Sequence, residues 1–220
     1  NTWYYVTVSD GCSLDEVDSV EVTINALPTA FLNVVDSNGC APFNANFILN
    51  TDIGVSFDYD FECDGIIDLA GTTSTNPSNN YTTAGVYDVC VTVTSADGCV
   101  TNISNPGIVE VYPVPTAGFY TDPVSATEVD PLIDIVDQSS GADFYFWTFG
   151  DGDSISGVGT DIVGTANTSG TVGDPSHFYN DVGTYTITQT VTNIYGCSDV
   201  ASSTVTIDPE QTIYVPNSFT

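Results

Sequence analysis

One short pattern occurs three times in the chain and restricts its fold more than any other feature. Each copy is a run rich in Tyr, Val and Thr that ends in a Gly-Cys turn, and a second β-rich run follows it. Alternation with a period of two is typical of β-strands, and a Gly-containing turn between two such runs predicts a β-hairpin. The first runs are TWYYVTVSDGC (2–12), GVYDVCVTVTSADGC (85–99) and GTYTITQTVTNIYGC (183–197), and the second runs are SVEVTI (19–24), GIVEVY (107–112) and STVTI (203–207).

Proline joints divide the chain into modules. LPTAF (27–31) follows the first hairpin and VPTAGF (114–119) follows the second. Many short strands without sustained helical periodicity predict an all-β fold of tandem immunoglobulin-like β-sandwiches arranged as a rod. The predicted domains are the C-terminal strands of a preceding module (1–27), two complete modules (28–114 and 115–209) and a linker (210–220).

The charge of the chain is entirely acidic. There are 29 Asp and Glu residues and no Lys or Arg, so the formal net charge is -29. Such a field repels nucleic acid and anionic membranes, so neither is an expected partner, and it attracts cations. The hydrophobic content of 41% is enough to bury a core, which argues against disorder.

The sequence also indicates a location. It has no apolar run long enough to span a bilayer, so we expect no direct membrane insertion. Without a signal peptide or any methionine, it is expected to be a mature or internal portion of a larger chain. Six cysteines without a CxxC pair favour an oxidising, extracytoplasmic setting.

The middle of each complete module carries matching motifs. The segment W-x-F-G-D-G, followed by P-S-H-x-Y and G-x-Y-x-[VI], resembles the PKD domain, an immunoglobulin-like sandwich of extracellular proteins. Module 28–114 departs from the pattern, with Tyr59 in place of the Trp and Asn79 in place of the His. The aligned segments are YDFECDG (59–65) with WTFGDG (147–152), and NPSNNYTTAGVYDVCVTV (76–93) with DPSHFYNDVGTYTITQTV (174–191).

The last residues, IYVPNSFT (213–220), resemble the opening of the gliding-motility-associated C-terminal sorting domain. That domain belongs to proteins exported by the type IX secretion system of Bacteroidetes. The family usually continues into a Pro-Asn-Gly-Asp-Gly run, which this chain lacks. The resemblance implies a segment of a very large protein on the cell surface, attached to the outer membrane. Its implied partners are neighbouring modules and the type IX secretion and anchoring machinery.

Catalysis is not expected. An enzyme needs a positioned base, a nucleophile or a metal-bound water. His177 is the only histidine, and Asn79 occupies its place in the sister module. A catalytic histidine should not be replaceable by asparagine, so we expect a structural hydrogen bond from His177.

An acidic stretch, FDYDFECDGIID (57–68), raises the question of a metal site. Alternation along a strand directs Phe57, Tyr59 and Phe61 to one face and the intervening acidic residues to the other. Read from Asp60, the spacing D-x-E-x-D-G-x-x-D matches positions 1, 3, 5, 6 and 9 of a calcium loop. Position 12 is Gly71 rather than Glu.

Two interpretations of this stretch remain open. One is an acidic edge and turn without metal. The other is a calcium site, which the lack of any cationic side chain favours because nothing else offsets the repulsion. In the third module, Asp151 and Asp153 around Gly152 form a weaker candidate. The predicted calcium ligands are Asp58, Asp60, Glu62, Asp64 and Asp68.

The resemblance to an immunoglobulin-like fold suggests how the cysteines pair. Cys63 ends the third strand and Cys90 lies in the sixth; these strands are neighbours in the fold, which predicts the disulfide Cys63–Cys90. Cys40 lies in the predicted turn between the first two strands, and Cys12, Cys99 and Cys197 lie in turns between the last two.

The remaining pairs depend on topology. These two turns lie at opposite ends of a sandwich, about 26 Å apart for an eight-residue strand, whereas a disulfide needs Cα atoms within about 7 Å. We therefore predict Cys40–Cys197 between modules, with Cys40–Cys99 inside one module as the alternative. Cys12 and Cys99 are expected to pair with cysteines upstream of residue 1.

Two functions fit these features. The first is a non-catalytic stalk segment of a large cell-surface adhesin or filament, which spaces an adhesive tip from the cell in adhesion or gliding motility. The second is a set of accessory polysaccharide-binding modules of a secreted hydrolase. The candidate polysaccharide contacts are Trp3, Tyr4, Tyr5, Tyr145 and Trp147.

A modification is also predicted. The segments DSV (18–20) and DSI (153–155) resemble the Bacteroidetes O-glycosylation rule of Asp, then Ser or Thr, then an aliphatic residue. The expected glycan positions are therefore Ser19 and Ser154.

Overall fold

The computed structural model describes residues 1–12, 14–158, 163–164 and 168–210, and the regular elements in these ranges are all β-strands. The chain divides into unit 1 (Asn1–Val111) and unit 2 (Tyr112–Thr220). The predicted domain boundaries stay a prediction. Within the described ranges, no helix has the length and apolar character needed to cross a membrane.

Unit 1 begins with a separate hairpin. Strands β1 (Thr2–Val8) and β2 (Glu16–Val22) pair antiparallel, from Thr2 opposite Val22 to Val8 opposite Glu16. Every residue of both strands is exposed, so this hairpin has no core of its own.

The rest of unit 1 is a sandwich of two sheets. Aromatic and branched side chains fill the space between them, with Phe47, Tyr59 and Phe61 each at most 3% exposed. The strands are β3 (Ala30–Val34), β4 (Asn38–Cys40), β5 (Phe43–Thr51), β6 (Gly54–Asp60), β7 (Leu69–Thr72), β8 (Ser78–Tyr81), β9 (Gly85–Ser95) and β10 (Val100–Tyr112). One sheet has the order β3-β5-β8 and the other β4-β10-β9-β6-β7.

Unit 2 is built in the same way around Trp147, Phe149 and Ile187. Its strands are β11 (Phe119–Asp122), β12 (Ser125–Thr127), β13 (Leu132–Asp137), β14 (Phe144–Thr148), β15 (Ser154–Gly157), β16 (Val163–Gly164), β17 (Thr168–Gly170), β18 (Pro175–Phe178), β19 (Gly183–Thr192) and β20 (Ser198–Asp208). The sheets have the orders β11-β13-β18-β17 and β12-β20-β19-β14-β15-β16.

The two sandwiches correspond strand for strand. The order β3-β5-β8 in unit 1 matches β11-β13-β18 in unit 2, and β4-β10-β9-β6-β7 matches β12-β20-β19-β14-β15. Unit 2 adds one strand to each sheet, β17 and β16. The predicted hairpins are confirmed as β1–β2, β9–β10 and β19–β20, and the predicted all-β sandwich fold is confirmed.

The predicted turn between the first two strands is wrong in detail. Cys40 ends the short strand β4, and the segment 125–131 begins with the short strand β12. β12 runs parallel to β20, with Ser125 opposite Thr206, while in unit 1 the Glu110 N–H donates to the Ser37 carbonyl at 2.8 Å. In each unit this segment, β4 or β12, joins the second sheet before the chain turns back. There it finds hydrogen-bond partners on the outer edge of the last strand, β10 or β20, which a free turn would lack.

Two tyrosines in each unit lock the strands together. Tyr81 and Tyr179 are buried, and their hydroxyls donate to the carbonyls of Phe61 at 2.9 Å and Phe149 at 3.0 Å. Burial raises the pKa of both hydroxyls. Each buried ring also packs on a second tyrosine at a centroid distance of 4.4 Å, in the pairs Tyr81–Tyr87 and Tyr179–Tyr185.

The second tyrosine of each pair fixes the preceding corner of the chain. The Tyr87 hydroxyl donates to the Thr83 carbonyl at 2.7 Å, and the Tyr185 hydroxyl donates to the Asp181 carbonyl at 2.9 Å. This is the tyrosine-corner arrangement of immunoglobulin-like sandwiches, in which a hydroxyl at the start of the penultimate strand bonds to backbone just upstream.

Removing the buried hydroxyls tests this lock. Tyr81→Phe and Tyr179→Phe should each lower the free energy of unfolding by about 1 kcal/mol, because a buried carbonyl loses its donor while the ring packing is kept. Tyr120→Phe is the matched control, since Tyr120 is 52% exposed. Urea unfolding measures the effect, and equal midpoints for all three variants would show that the hydroxyls do not stabilise the fold.

Candidate functional site

The acidic loop after β6 is folded by its own carboxylates. Asp60, the last residue of the strand, is 4% exposed and accepts from the backbone N–H groups of Asp64 at 3.2 Å and Gly65 at 2.8 Å. Asp68 accepts from the backbone N–H of Phe61 at 2.7 Å. Carboxylates that accept backbone amides are stabilised without any cationic partner. The loop therefore satisfies part of its charge internally.

Two of the predicted calcium ligands serve other contacts. Asp58 accepts from the backbone N–H of Gly71, which lies in the adjacent strand β7. Asp64 accepts from the backbone N–H of Ile66 at 2.8 Å, which closes a local turn. Gly65 follows with a φ of +91°, a backbone conformation that favours glycine.

The remaining three carboxylates converge. Asp60, Glu62 and Asp68 each bring an oxygen within 4.8 Å of the others. The prediction that Asp58, Asp60 and Glu62 share one strand face is wrong, because β6 ends at Asp60 and the chain bends there. Convergence arises from the bend rather than from alternation, and whether calcium binds stays a prediction.

Glu62 is poorly compensated as an anion. Although its side chain is largely exposed, partial desolvation raises its pKa, and the nearby charges of Asp68 and Asp64 raise it further. The Asn79 side-chain amide, which donates to Glu62 at 3.5 Å, partly offsets this effect on the pKa. A carboxylate with a raised pKa favours folding at low pH and costs stability as the pH rises through that pKa. A cation bound between these carboxylates would reverse the cost.

In unit 2, the only histidine of the chain packs against the corresponding loop from strand β18. His177 is 0% exposed, stacks on Phe149 at a centroid distance of 4.0 Å, and meets Tyr179 edge-on at 4.6 Å. Its Nε2 lies 2.7 Å from an oxygen of Asp151. Asp151, Asp153 and His177 also bring one potential ligand atom each within 4.8 Å of the others.

The environment of Asp151 favours its ionised form. Burial raises its pKa, but the hydrogen bond to His177 and the Asp153 backbone N–H, which donates at 3.0 Å, outweigh burial. The pKa of Asp151 therefore lies below its usual value. Asp151 acts as an anion held by the loop rather than as a proton donor at neutral pH.

His177 and Asn79 are structural equivalents. They lie on the matching strands β18 and β8, and each bonds to a carboxylate of the loop after the central strand, Asp151 in unit 2 and Glu62 in unit 1. In each unit this side chain connects a strand of one sheet to a loop that follows a strand of the other sheet. This contact agrees with the structural role expected for His177.

Unit 1 contains a disulfide between Cys63 and Cys90, with a Cα–Cα distance of 5.0 Å. Cys99 has a free thiol, as does Cys12, so the alternative pair Cys40–Cys99 is wrong. Cys197 is 1% exposed. The pair Cys40–Cys197 would join different units and stays a prediction.

The candidate polysaccharide contacts separate into core and surface. Trp147 is 0% exposed and its indole N–H donates to the Val172 carbonyl at 2.7 Å, so its assignment to a binding surface is wrong. Tyr145 is half-buried and its hydroxyl donates to Asp137 at 3.1 Å. By contrast, the exposed contacts all lie on β1: Trp3, Tyr4 and Tyr5.

The predicted glycan positions differ in accessibility. Ser19 is exposed on β2, whereas Ser154 is half-buried at the start of β15. Both stay predictions. The segment IYVPNSFT (213–220) lies outside the described residues.

A buried polar network in unit 2 was missed by the sequence reasoning. Gln189 is 0% exposed; its carbonyl oxygen accepts from the Gly118 N–H at 2.9 Å, and its amide nitrogen donates to Asp137 at 2.7 Å. Gln189 occupies an inward position of β19, between Ile187 and Val191. The sequence does contain a signal for this network, because Gln189 is a polar residue at a position where alternation predicts a buried apolar one.

The calcium interpretation makes a specific prediction for Glu62→Gln. In EDTA, this variant should melt at a higher temperature than the wild type, because it removes a charge that its neighbours disfavour. In excess calcium the order should reverse, since calcium at a hundredfold excess over its dissociation constant stabilises the wild-type unit by about 2.7 kcal/mol. Glu16→Gln on the exposed hairpin controls for the loss of one charge.

Calorimetry combined with fluorescence can assign the transition. Trp147 lies in the core of unit 2, and the only other tryptophan, Trp3, is 51% exposed on β1. The change in tryptophan emission therefore follows mainly unit 2, while calorimetry detects both units. If calcium raised the melting temperatures of both transitions by equal, small amounts, the ions would only be screening the negative charge of the whole chain. The calcium interpretation would then be wrong.

Comparison with known proteins identifies part of the chain. A search of curated proteins finds no significant match. Among solved structures, three domains of the bacteriophage RB49 Hoc capsid protein align with a TM-score of 0.45 and 14% identity, covering 95% of this chain and 79% of that one.

Two bacterial structures align more loosely. A 1.5-MDa ice-binding adhesin gives a TM-score of 0.38 and 14% identity, over 86% of this chain and 67% of that one. Fibronectin(III)-like modules of Clostridium thermocellum CbhA give 0.35 and 10%, over 84% and 100%. The family comparison is local and specific: residues 124–207 match the PKD domain, so unit 2 contains an immunoglobulin-like PKD domain.

Proposed function

We propose that the chain is a non-catalytic stalk segment of a large extracellular adhesin or filament. In this proposal the modules follow one another as a rod and hold an adhesive tip away from the cell. The PKD domain and the immunoglobulin-like sandwich support the proposal at the level of fold. The resemblance of residues 213–220 to a sorting domain supports export by the type IX system and attachment to the outer membrane.

One observation carries the proposal: the side chain best suited to catalysis, that of the histidine, instead helps to hold the fold together. The only histidine is fully buried, stacked on Phe149 and bonded to Asp151. Its equivalent in unit 1 is an amide, Asn79, in a similar contact with a carboxylate. Side chains that could perform chemistry on a substrate instead connect a strand to a loop, which suits a module whose function is mechanical.

A covalent brace between modules would suit such a stalk. The proposed disulfide Cys40–Cys197 would span the proline joint and limit its swing. This bond would close a loop from residue 40 to residue 197. Loop-closure entropy alone would then stabilise the folded state by about 5 kcal/mol, which is an upper guide. The lack of Lys and Arg would also make the stalk resistant to trypsin-like proteases.

The second candidate is an accessory module that binds polysaccharide for a secreted hydrolase. Three neighbouring aromatic side chains favour it, since Trp3, Tyr4 and Tyr5 are between 51% and 66% exposed. They lie on a hairpin whose strand residues are all exposed, and alternation places successive side chains on opposite faces. They therefore do not form one continuous platform.

A replacement experiment separates a spacer from a binding module. In the full-length protein, residues 28–209 are deleted, or exchanged for two unrelated immunoglobulin-like modules of equal length. A spacer depends on length, so cell attachment should fall with the deletion and return with the exchange. Loss of attachment in both strains, at equal surface display, would contradict the stalk.

A further inference from the structure

Aspartate directly precedes proline at four positions of the chain, and all four lie in unit 2. An aspartate carboxylate can attack the carbonyl carbon of its own residue through a five-membered ring, so the nucleophile is always close to its target. The proline nitrogen is a tertiary amide, which accepts a proton more readily than a secondary amide and then leaves as an amine. The four labile bonds are Asp122–Pro123, Asp130–Pro131, Asp174–Pro175 and Asp208–Pro209.

A single residue contacts one of these bonds on both sides. The backbone N–H of Glu128 donates at 2.9 Å to the carbonyl of Asp208, which is the carbonyl of the Asp208–Pro209 bond. The Oε1 atom of the Glu128 side chain accepts from the backbone N–H of Glu210 at 3.0 Å, on the far side of the proline. Glu128 reaches this position because Thr127 at the end of β12 pairs with Asp208 at the end of β20. The fold therefore brings a carboxyl group from a distant segment to this bond.

The two contacts of Glu128 favour different steps of a cleavage. A backbone N–H on the carbonyl oxygen stabilises the negative charge that develops there when the carbonyl carbon is attacked. A carboxyl group beside the proline can donate a proton to the nitrogen as it leaves. The attacking group is available as well, since the Asp208 carboxylate is exposed and makes no hydrogen bond within the part of the chain that the structure describes.

The other three Asp–Pro bonds lack this arrangement. Among the described residues, no carboxylate accepts from the backbone N–H that follows Pro123, Pro131 or Pro175. At the third of these bonds the nucleophile is also occupied, because the Asp174 carboxylate accepts from the backbone N–H of Asp137 at 2.8 Å. These bonds share the intrinsic chemistry of Asp208–Pro209 without its contacts.

Unit 1 has a different residue at the matching bond. The register of its last two strands places Tyr112–Pro113 where unit 2 has Asp208–Pro209. A tyrosine has no carboxylate with which to attack its own carbonyl carbon. The proline after the last strand is thus common to both units, whereas the nucleophile is present only in unit 2.

We propose that Asp208–Pro209 is a self-cleaving bond. The Asp208 carboxylate attacks its own carbonyl carbon, and the carbon–nitrogen bond to Pro209 breaks as the nitrogen takes a proton from the Glu128 carboxyl. The products are a cyclic anhydride at residue 208 and a free amine at residue 209. Water then opens the anhydride to a C-terminal aspartate, and the proton that is released restores Glu128. The overall reaction is the hydrolysis of one peptide bond, with water as the only co-reactant.

Mild acid should favour the reaction. Glu128 has to be protonated to serve as the proton donor, while Asp208 has to be ionised to attack. The other titratable groups of the adjoining segments are Asp130 after β12, Asp181 before β19 and Glu210, and all of them are carboxyls. Because the chain has no Lys or Arg, no cationic side chain of that kind holds these carboxyls in their ionised form.

The reaction acts on the chain itself and converts no separate substrate. It goes beyond the proposed stalk, because it gives unit 2 a means of separating from the residues that follow Asp208. It does not depend on that proposal, since a peptide bond can break whether or not the modules act as a spacer.

Incubation of the 220-residue chain at about pH 5, where a minor fraction of free carboxylic acids is protonated, tests the proposal. Intact-mass measurement and N-terminal sequencing compare cleavage at the four Asp–Pro bonds, in the folded chain and in urea. The folded chain should release residues 209–220 about a hundred times faster than it breaks any other Asp–Pro bond. In urea the four rates should become similar, because the contacts of Glu128 are lost. Similar rates in the folded chain, or no cleavage after Asp208, would overturn the proposal.

Two substitutions and a matched control assign the groups. Asp208→Ala removes the nucleophile and should abolish cleavage at this bond. Glu128→Gln keeps a side-chain oxygen for the Glu210 N–H but removes the acidic proton, so cleavage should slow about a hundredfold. Asp130→Asn removes a carboxyl from the same segment, and cleavage after residue 208 should then proceed at the wild-type rate. Trp147, in the core of unit 2, reports by its emission that each variant is folded.

Two results would attribute the cleavage to something other than this arrangement. An unchanged rate in Glu128→Gln would mean that the bond breaks only because it is exposed. Equal slowing by Glu128→Gln and Asp130→Asn would mean that the local negative charge acts in general. Either result overturns the proposal. Because a spacer needs no self-cleavage, failure here leaves the stalk unaffected, and the module-replacement experiment decides the stalk separately.

Discussion

The lack of any lysine or arginine is the constraint on which much of this structure depends. With a net charge of -29, carboxylates can be stabilised only by uncharged donors, by His177 or by a bound cation. The protein uses its backbone for this purpose. Asp52 accepts from the Thr29 N–H at 2.8 Å and the Ile53 N–H at 2.7 Å, and these hydrogen bonds lower its pKa. Asp199 accepts from the Ala117 N–H at 2.8 Å, with the same effect on its pKa. Aspartate, whose short side chain reaches nearby amides, greatly outnumbers glutamate.

This constraint explains why polar donors gather around the carboxylates of the acidic loops, as they do in functional sites. Asp60 and Asp68 hold their loop through backbone amides, and Asp151 does so through His177. Compensation is incomplete at Glu62, whose pKa is raised. A chain of acidic modules thus combines internally satisfied loops, which hold the sandwich together, with one cluster that a cation would stabilise.

Much of the fold could be predicted because alternation is local. The buried Phe57, Tyr59 and Phe61 and the three hairpins follow directly from it. The site could be predicted less well, because it depends on where a strand ends. β6 stops at Asp60, so the five acidic residues separate into a convergent trio and two carboxylates that accept backbone amides elsewhere. The buried Trp147 and the short strand that ends at Cys40 depend on contacts between distant segments, which no local pattern encodes.

We propose that the chain is a covalently braced series of structural modules, and disulfide mapping is the most direct test. Because there is no Lys or Arg, the unreduced 220-residue chain is alkylated and then cleaved at Asp and Glu rather than with trypsin. We expect one linked pair of peptides carrying Cys63 and Cys90, another carrying Cys40 and Cys197, and alkylated Cys99. A peptide pair that links Cys40 to Cys99, or an alkylated Cys40, would contradict it.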